Sequence, residues 1–383
     1  STLNPHTPDL LLDLGKKLAR MDSALLDFDS PGFDQPLLWQ MENALPTVDS
    51  FKPLLATDEQ RELIEYFEKL FRDQVLPRSD KLRRTIIHND VNDHNILVSG
   101  DSPWEQQVSS IIDFGDMAHS WLVAEPAIAA AYAMLDKKHP LETAALIVKS
   151  YHSELSLEED EICVLFTLIC MRLCMSVCIC AHQRSLAPDN TYLSISEAPA
   201  WEVLKKLRGI SPDFAHFVFR QACGLSPVPG NQALVEWLQK RAAKFSKVVD
   251  IDLRTDPLLM LDLSVASPFL SGLDDAHESE RLALRITRAL EDAKCAAGIG
   301  AYDEYRLIYG GDGFVDCDGH RRSLHLGIDI FMPEGVSVYA PLAGIVHSIA
   351  NHDQAGDYGG TLILEHPIES DDNEHLNFYT LYG

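Results

Sequence analysis

The sequence predicts a multidomain α+β protein: a mostly helical first lobe with short β-hairpins, then a helical connector, then a small β-rich module at the C-terminal end. Three observations carry that prediction. Apolar residues recur at gaps of three and four through much of positions 1–210. Within that stretch, short β-rich runs flank polar loops, as at Thr85–Ile87 and Ile96–Val98, and again at Val108–Ile112. From about Tyr305 the texture changes to short apolar runs, glycines and turns. The 383 residues suffice for two or three domains with cores of their own, and the segments expected are 1–210, 211–300 and 301–383.

Taken in order, the first helix begins near Thr7-Pro8-Asp9, a cap followed by proline at the first helical position. Leu11, Leu14, Leu18, Met21 and Leu25 then form one apolar stripe. Asp29 to Pro53 carries turn residues, including Ser30-Pro31-Gly32, and Asp58 to Val75 reads as an amphipathic helix. After the two polar loops come helices near 121–135, 141–154 and 157–184, the last opened by Ser156 and Glu159 at capping-box spacing. The chain loosens between Gly209 and Gly230. Helical patterns return at 231–246 and 277–297, the second ended by Gly298, and Val248 to Leu253 alternates like a strand.

A net charge of −26 argues against a nucleic-acid or anionic-membrane partner, which would call for a basic patch. Five of the eight cysteines lie between Cys163 and Cys180, with Cys170, Cys174 and Cys178 at helical spacing. No C-x-x-C pair with a matching partner appears, so they read as small apolar residues of a buried helix in a reducing compartment. The run from Ile162 to Ala181 is apolar enough to raise a membrane question, but Arg172 sits in its middle, which fits a core helix. No signal peptide is read at the start, and a cytoplasmic location is expected.

The polar loops carry the chemistry. Phosphoryl transfer needs an acceptor for the substrate hydroxyl proton and hard oxygen ligands for magnesium. In Ile86-Ile87-His88-Asn89-Asp90-Val91-Asn92-Asp93-His94-Asn95, Asp90 can orient and deprotonate a hydroxyl, and Asn95 offers a neutral amide oxygen. Asp113, in Ile111-Ile112-Asp113-Phe114-Gly115-Asp116, offers an anionic one. Asn and Asp also favour turns, yet turn chemistry alone does not require this order.

These residues, H-x-D-x-x-x-x-N at His88, Asp90 and Asn95 followed by D-F-G at Asp113, resemble the aminoglycoside phosphotransferase and choline kinase superfamily, relatives of the protein kinases. Ser120 to Leu135 also looks like the helix that follows in that superfamily. Within it the chain is most similar to hydroxylysine kinase-like proteins, which phosphorylate small amino alcohols. The resemblance implies Asp90 as catalytic base, His88 as the loop member that positions it, and Asn95 and Asp113 as ligands of Mg2+ bound with ATP. The partner implied is a small amino alcohol or an aminoglycoside-like molecule. Asp116 and Glu125 are candidates to meet its ammonium group, although helix capping or surface charge explains either one as well. The resemblance covers a C-terminal lobe only. No glycine-rich loop or strand lysine precedes it, so a fragment lacking an N-terminal lobe, and inactive alone, is expected.

A second resemblance lies near the end. His325 and Asp329 are four apart, which along a strand places both on one face. With Gly335-Val336-Ser337-Val338-Tyr339-Ala340-Pro341 and Gly344-Ile345-Val346 behind them, they are similar to the opening of lysostaphin-type (LytM-like) zinc metallopeptidases. That resemblance implies His325 and Asp329 as two Zn2+ ligands. The remaining motifs of that family would start at Tyr382-Gly383. A small β module retained for packing, its metal site idle, reads equally well, since zinc normally takes at least three protein ligands. The pairing of the two segments resembles bacterial fusions that continue into a class III aminotransferase, which would place pyridoxal phosphate only in a downstream domain. A non-catalytic scaffold or linker is the remaining alternative.

Overall fold

The computed structural model describes residues 6–28, 30–33, 37–102, 104–187, 197–271, 279–306, 315, 323–352, 358–369 and 375–383. Contacts group the chain into two compact units, Ser1–Pro229 and Gly230–Gly383.

Unit 1 opens with α1 (Pro8–Leu25), whose start follows the expected chemistry: Thr7 accepts from the Leu10 N–H at 3.2 Å and Pro8 lies in the first turn. Leu10, Leu14 and Leu18 are buried. Helices α2 (Ala44–Phe51) and α3 (Asp58–Gln74) follow. Thr57 and Gln60 close a capping box on α3, whose Leu63, Ile64, Phe67 and Phe71 face the core. Then come strands β1 (Arg84–Ile87), β2 (Ile96–Ser99), β3 (Gln107–Ile111) and β4 (Ala118–Trp121). The remaining helices are α4 (Ala124–Ala133), α5 (Pro140–Glu154), α6 (Glu159–Leu186), α7 (Glu197–Arg208) and α8 (Pro212–Ala222).

Helix α6 is the spine of this unit. Between its charged ends it is apolar on every side, and a helix of that kind must be enclosed. It is long and apolar enough to cross a membrane by composition, yet 94% of its most apolar window is buried. α2, α3, α4, α7 and α8 pack around it. Cys170, Cys174 and Cys178 lie in this core, where burial pushes all three thiols up, Cys178 to about 12. The capping box at its start is not Ser156 with Glu159. It is Glu158 with Glu161, the latter accepting the Glu158 N–H at 2.8 Å. The Ser156 carbonyl is taken by Arg83 Nη2 at 2.7 Å.

The strands form two antiparallel ladders, β1 with β4 and β2 with β3. Ile87 faces Ala118, and Ile96 faces Ile111. Because the outer pair and the inner pair share the same chain path, the loops at 88–95 and 112–117 run side by side. That is what positions the candidate site.

Unit 2 contains α9 (Asn231–Arg241), β5 (Leu258–Leu261), α10 (Ser279–Ala293), β6 (Ala297–Gly300), β7 (Glu304–Tyr305), β8 (Leu324–His325), β9 (Asp329–Phe331), β10 (Ile345–His352), β11 (Gly359–Glu369) and β12 (His375–Tyr382). β5 runs parallel to β6, which pairs antiparallel with β9, and β10–β11–β12 form an antiparallel meander. Leu261, Leu263 and Ile286 make a small core with Leu259, Phe269, Leu290 and Phe331.

Several local expectations change. Gly298 does not end a helix: α10 stops at Ala293, Lys294 turns to φ 53°, and Gly298 lies inside β6. A Cβ there would sit 2.7 Å from Leu261 Cδ1, so glycine serves a close approach. Val248 to Leu253 is not a strand, because Asp252 folds the chain into a turn: its carboxylate accepts the Arg254 N–H and its carbonyl the Asp256 N–H. The units also differ from the three segments expected. α8, placed in the connector, buries Ala215 and Phe219 in the core of unit 1 and packs on α5 and α6. The β6–β9 ladder joins segments on both sides of position 300. The first residues of the 277–297 helix, and Arg322 before the His325 motif, lie outside the described residues.

Candidate active site

His88 ties the two loops of unit 1 together. It is fully buried. Its Nε2 lies 2.9 Å from the Ile112 carbonyl and its Nδ1 3.4 Å from the Asp90 N–H. A carbonyl only accepts, so the proton belongs on Nε2 and Nδ1 receives the Asp90 N–H. In return the Ile112 N–H donates to the Asn95 carbonyl at 2.9 Å.

Asp90 is held from both sides. Its Oδ2 accepts from Asn92 Nδ2 at 2.9 Å and Asn95 Nδ2 at 3.1 Å, and Asn95 also donates to the Asp90 carbonyl at 2.8 Å. Its Oδ1 accepts from Arg172 Nη2 at 2.8 Å. The Asp90 side chain nevertheless keeps 21% of its surface exposed, so the site is open to a substrate hydroxyl. Asp113 is exposed at the tip of the neighbouring loop, in left-handed backbone at φ 64°, with Oδ1 accepting the Gly115 N–H at 3.4 Å. The ring of Phe114 lies 5.0 Å from that of His88. The Asp116 carboxyl is pushed up by partial burial and then by the charges of Asp90 and Asp113.

The Asn95 amide nitrogen is used by Asp90, which leaves Oδ1 as the atom of that side chain for a cation. An amide oxygen and an exposed carboxylate are hard donors of the kind magnesium takes, completed by phosphate oxygens. Among the described residues no three His, Cys, Asp or Glu side chains gather as a metal-ligand group. A cation here therefore depends on a ligand's own oxygens as well.

Glu125, in the first turn of α4, is not set to meet a substrate ammonium. It is fully buried, and its Oε2 accepts the Asn89 N–H at 2.9 Å, immediately before Asp90. Asn89 sits at φ 67° and donates through Nδ2 to the Asp116 carbonyl at 3.2 Å. Burial pushes Glu125 up to about 7, against the opposing pull of the Asn89 and His88 backbone and of Arg172. Beneath it Asp22 of α1, also fully buried, accepts from Tyr151 Oη at 2.5 Å and is pushed well up by burial and by the charge of Glu125.

Arg172, bonded to Asp90, is the contact at this candidate site that motif reading misses. In sequence it marks only a charge inside an apolar run, and that lone charge is the signal that could have found it. The surrounding Trp39 and Tyr132 carry no motif at all.

In unit 2, His325 Nε2 and Asp329 Oδ1 are 3.4 Å apart, so the structure brings this pair together. Asp329 Oδ2, however, faces Arg306 Nη2 at 2.7 Å, and Arg306 Nε pairs with Glu304 at 2.7 Å. Arg306 and Glu304 are both buried. A guanidinium occupies the flank of Asp329 where a second cation would be repelled.

Residues 2–156 match the phosphotransferase enzyme family. The hydroxylysine kinase of Bos taurus is 32% identical over 212 residues, covering 53% of this chain and 56% of its own length. That of Mus musculus is 32% identical over 206 residues, covering 51% and 54%. The chain thus spans about half the length of the curated relatives it matches. A solved microcompartment-associated aminopropanol kinase shares 18% identity over 58% of this chain and 65% of its own, at a TM-score of 0.39. The matched residues include His88, Asp90, Asn95, Asp113, Asp116 and Glu125, while Arg172 lies beyond them.

Proposed function

We propose that unit 1 carries the acceptor-side chemistry of an ATP- and Mg2+-dependent phosphotransferase in the cytoplasm, acting on the hydroxyl of a small amine-bearing molecule such as hydroxylysine or ethanolamine, within a larger multidomain enzyme. The observation that carries this reading is the clamped but accessible Asp90 carboxylate, bonded to Asn95 and joined through His88 to the Asp113 loop. Asp90 accepts the substrate hydroxyl proton as the oxygen bonds to the γ-phosphorus of ATP and the bridging bond to the β-phosphate breaks, releasing ADP, and its two bonded oxygens keep that carboxylate in one orientation. Asn95 and Asp113 would hold the metal, which would neutralise phosphate charge when bound. Asp116, partly exposed beside them, meets the substrate ammonium. The hydroxylysine kinase relatives favour a hydroxylated amine among the acceptors.

The test is Asp90→Asn in the complete gene product. Turnover of an amino-alcohol acceptor should fall by about 10²–10⁴-fold with an unchanged melting profile. Wild-type turnover in this variant removes Asp90 from the mechanism.

For residues 301–383 the reading that the contacts favour is the packing module with an idle metal site, because Arg306 pairs with the carboxylate that zinc would need.

A further inference from the structure

We propose that Arg172, in the middle of α6, is the positioning residue that holds the Asp90 carboxylate ready for proton acceptance; this rests on the phosphotransferase reading above. Arg172 is fully buried in the middle of α6, where the stretch Ile162–Ala181 holds no other charged residue, and enclosing a charge there is costly unless it is paired. Its bonds account for that charge. Nη2 meets Asp90 Oδ1 at 2.8 Å, Nη1 donates to the Trp39 carbonyl at 2.8 Å, and Nε reaches Tyr132 Oη at 3.3 Å. The guanidinium carbon also lies 4.8 Å from the Trp39 ring centre and 5.5 Å from that of Tyr132.

The plane of the guanidinium is therefore fixed by groups from two separate segments, those of Trp39 and Tyr132, before it touches Asp90. Asp90 is in turn gripped on Oδ1 by this rigid fork and on Oδ2 by Asn92 and Asn95. An apolar residue could fill the α6 position without desolvating a charge. The arginine instead spends its polar contacts on one carboxylate and on the groups that aim it. Lysine would keep the charge but lose the planar fork.

The experiment compares Arg172→Lys, Arg172→Gln, Asp90→Asn and the double variant Arg172→Lys/Asp90→Asn in the complete gene product, with turnover expressed per folded protein from circular dichroism melts. Arg172→Lys should lower kcat by about 10²-fold with KM for nucleotide within about twofold, since a misplacement of about 1 Å has that effect. Arg172→Gln, lacking the charge, should lie lower still. On the Asp90→Asn background the lysine substitution should change the residual turnover by less than about twofold, because there is no carboxylate left to position. Tyr132→Phe, which removes only the hydroxyl that Arg172 meets, should lower kcat by about threefold, the equivalent of one hydrogen bond.

Equal losses on both backgrounds would make Arg172 merely structural and overturn the proposal. So would an unchanged kcat in Arg172→Lys, or in Tyr132→Phe should the arginine variants not fold. If Asp90→Asn itself keeps full turnover, the phosphotransferase reading fails first and takes this inference with it. A dead Asp90→Asn beside a fully active Arg172→Lys defeats this inference alone.

Discussion

Single residues divide into those that motif spacing reveals and those that only folding brings together. His88, Asp90, Asn95 and Asp113 stand out by the order of polar residues between short β-rich runs, although folding buries His88 and Asn95 and leaves Asp90 partly and Asp113 fully presented. Glu125 could not be placed that way: its bond partner is a backbone N–H 36 positions earlier. Arg172 meets Asp90 across 82 positions. Glu125 also makes a pH prediction. Its folded-state value, about 7, lies above the ordinary carboxyl value of 4.5, so its contribution to stability is fully present below about pH 4.5 and is lost as pH rises through 7. A shift of that size corresponds to on the order of 3 kcal/mol. Asp22, Asp90, Arg172 and the His88–Asn89 backbone are the groups that act on it. Thermal melts between pH 5 and pH 8 should show the unit 1 transition falling with rising pH, and Glu125→Gln should flatten that slope. A slope unchanged by Glu125→Gln would contradict the buried, proton-bearing carboxyl.

Elements were legible where caps and periodicity agree, and less so elsewhere. α1, α3, α4, α5 and α6 fall close to their expected spans, with α6 beginning two residues later because Glu158 rather than Ser156 caps it. α7 was not expected, although Ala200, Val203, Leu204 and Leu207 carry helical spacing. The four residues of β5, Leu-Leu-Met-Leu, could serve a strand or a buried helix equally by pattern. Pro212 looked like a break and instead opens α8, where a missing N–H costs nothing. One packing contact tests the helical layer directly. A Cβ at Gly15 of α1 would lie 2.1 Å from Ser150 Oγ and 2.4 Å from the Ile147 carbonyl of α5. The serine hydroxyl can turn away but the backbone carbonyl cannot. Gly15→Ala should therefore destabilise unit 1 by about 1–3 kcal/mol. A chemical-denaturation midpoint at or above that of the wild type would show that α1 and α5 are not so closely apposed.

At the scale of the whole chain, the compact units divide at a point that the change of texture near Tyr305 does not mark, since β5 and β6 already share a sheet with β9. The division falls after Pro229, because α8 finds its apolar partners on α5 and α6 rather than further along the chain. Unit 2 carries its own prediction. With Arg306 on one oxygen of Asp329 and His325 near the other, elemental analysis of the purified protein should find substoichiometric zinc, and His325→Ala should leave that content unchanged. One zinc per chain, lost in His325→Ala, would restore the peptidase-like reading. The chemistry of unit 1 is most directly tested by following phosphorus NMR of the complete gene product with MgATP and hydroxylysine. The account predicts a new phosphate monoester on the acceptor hydroxyl, formed at least about 10²-fold more slowly by Asp90→Asn. Equal rates in the two proteins, or no transfer by the wild type to any hydroxylated amine, would contradict it.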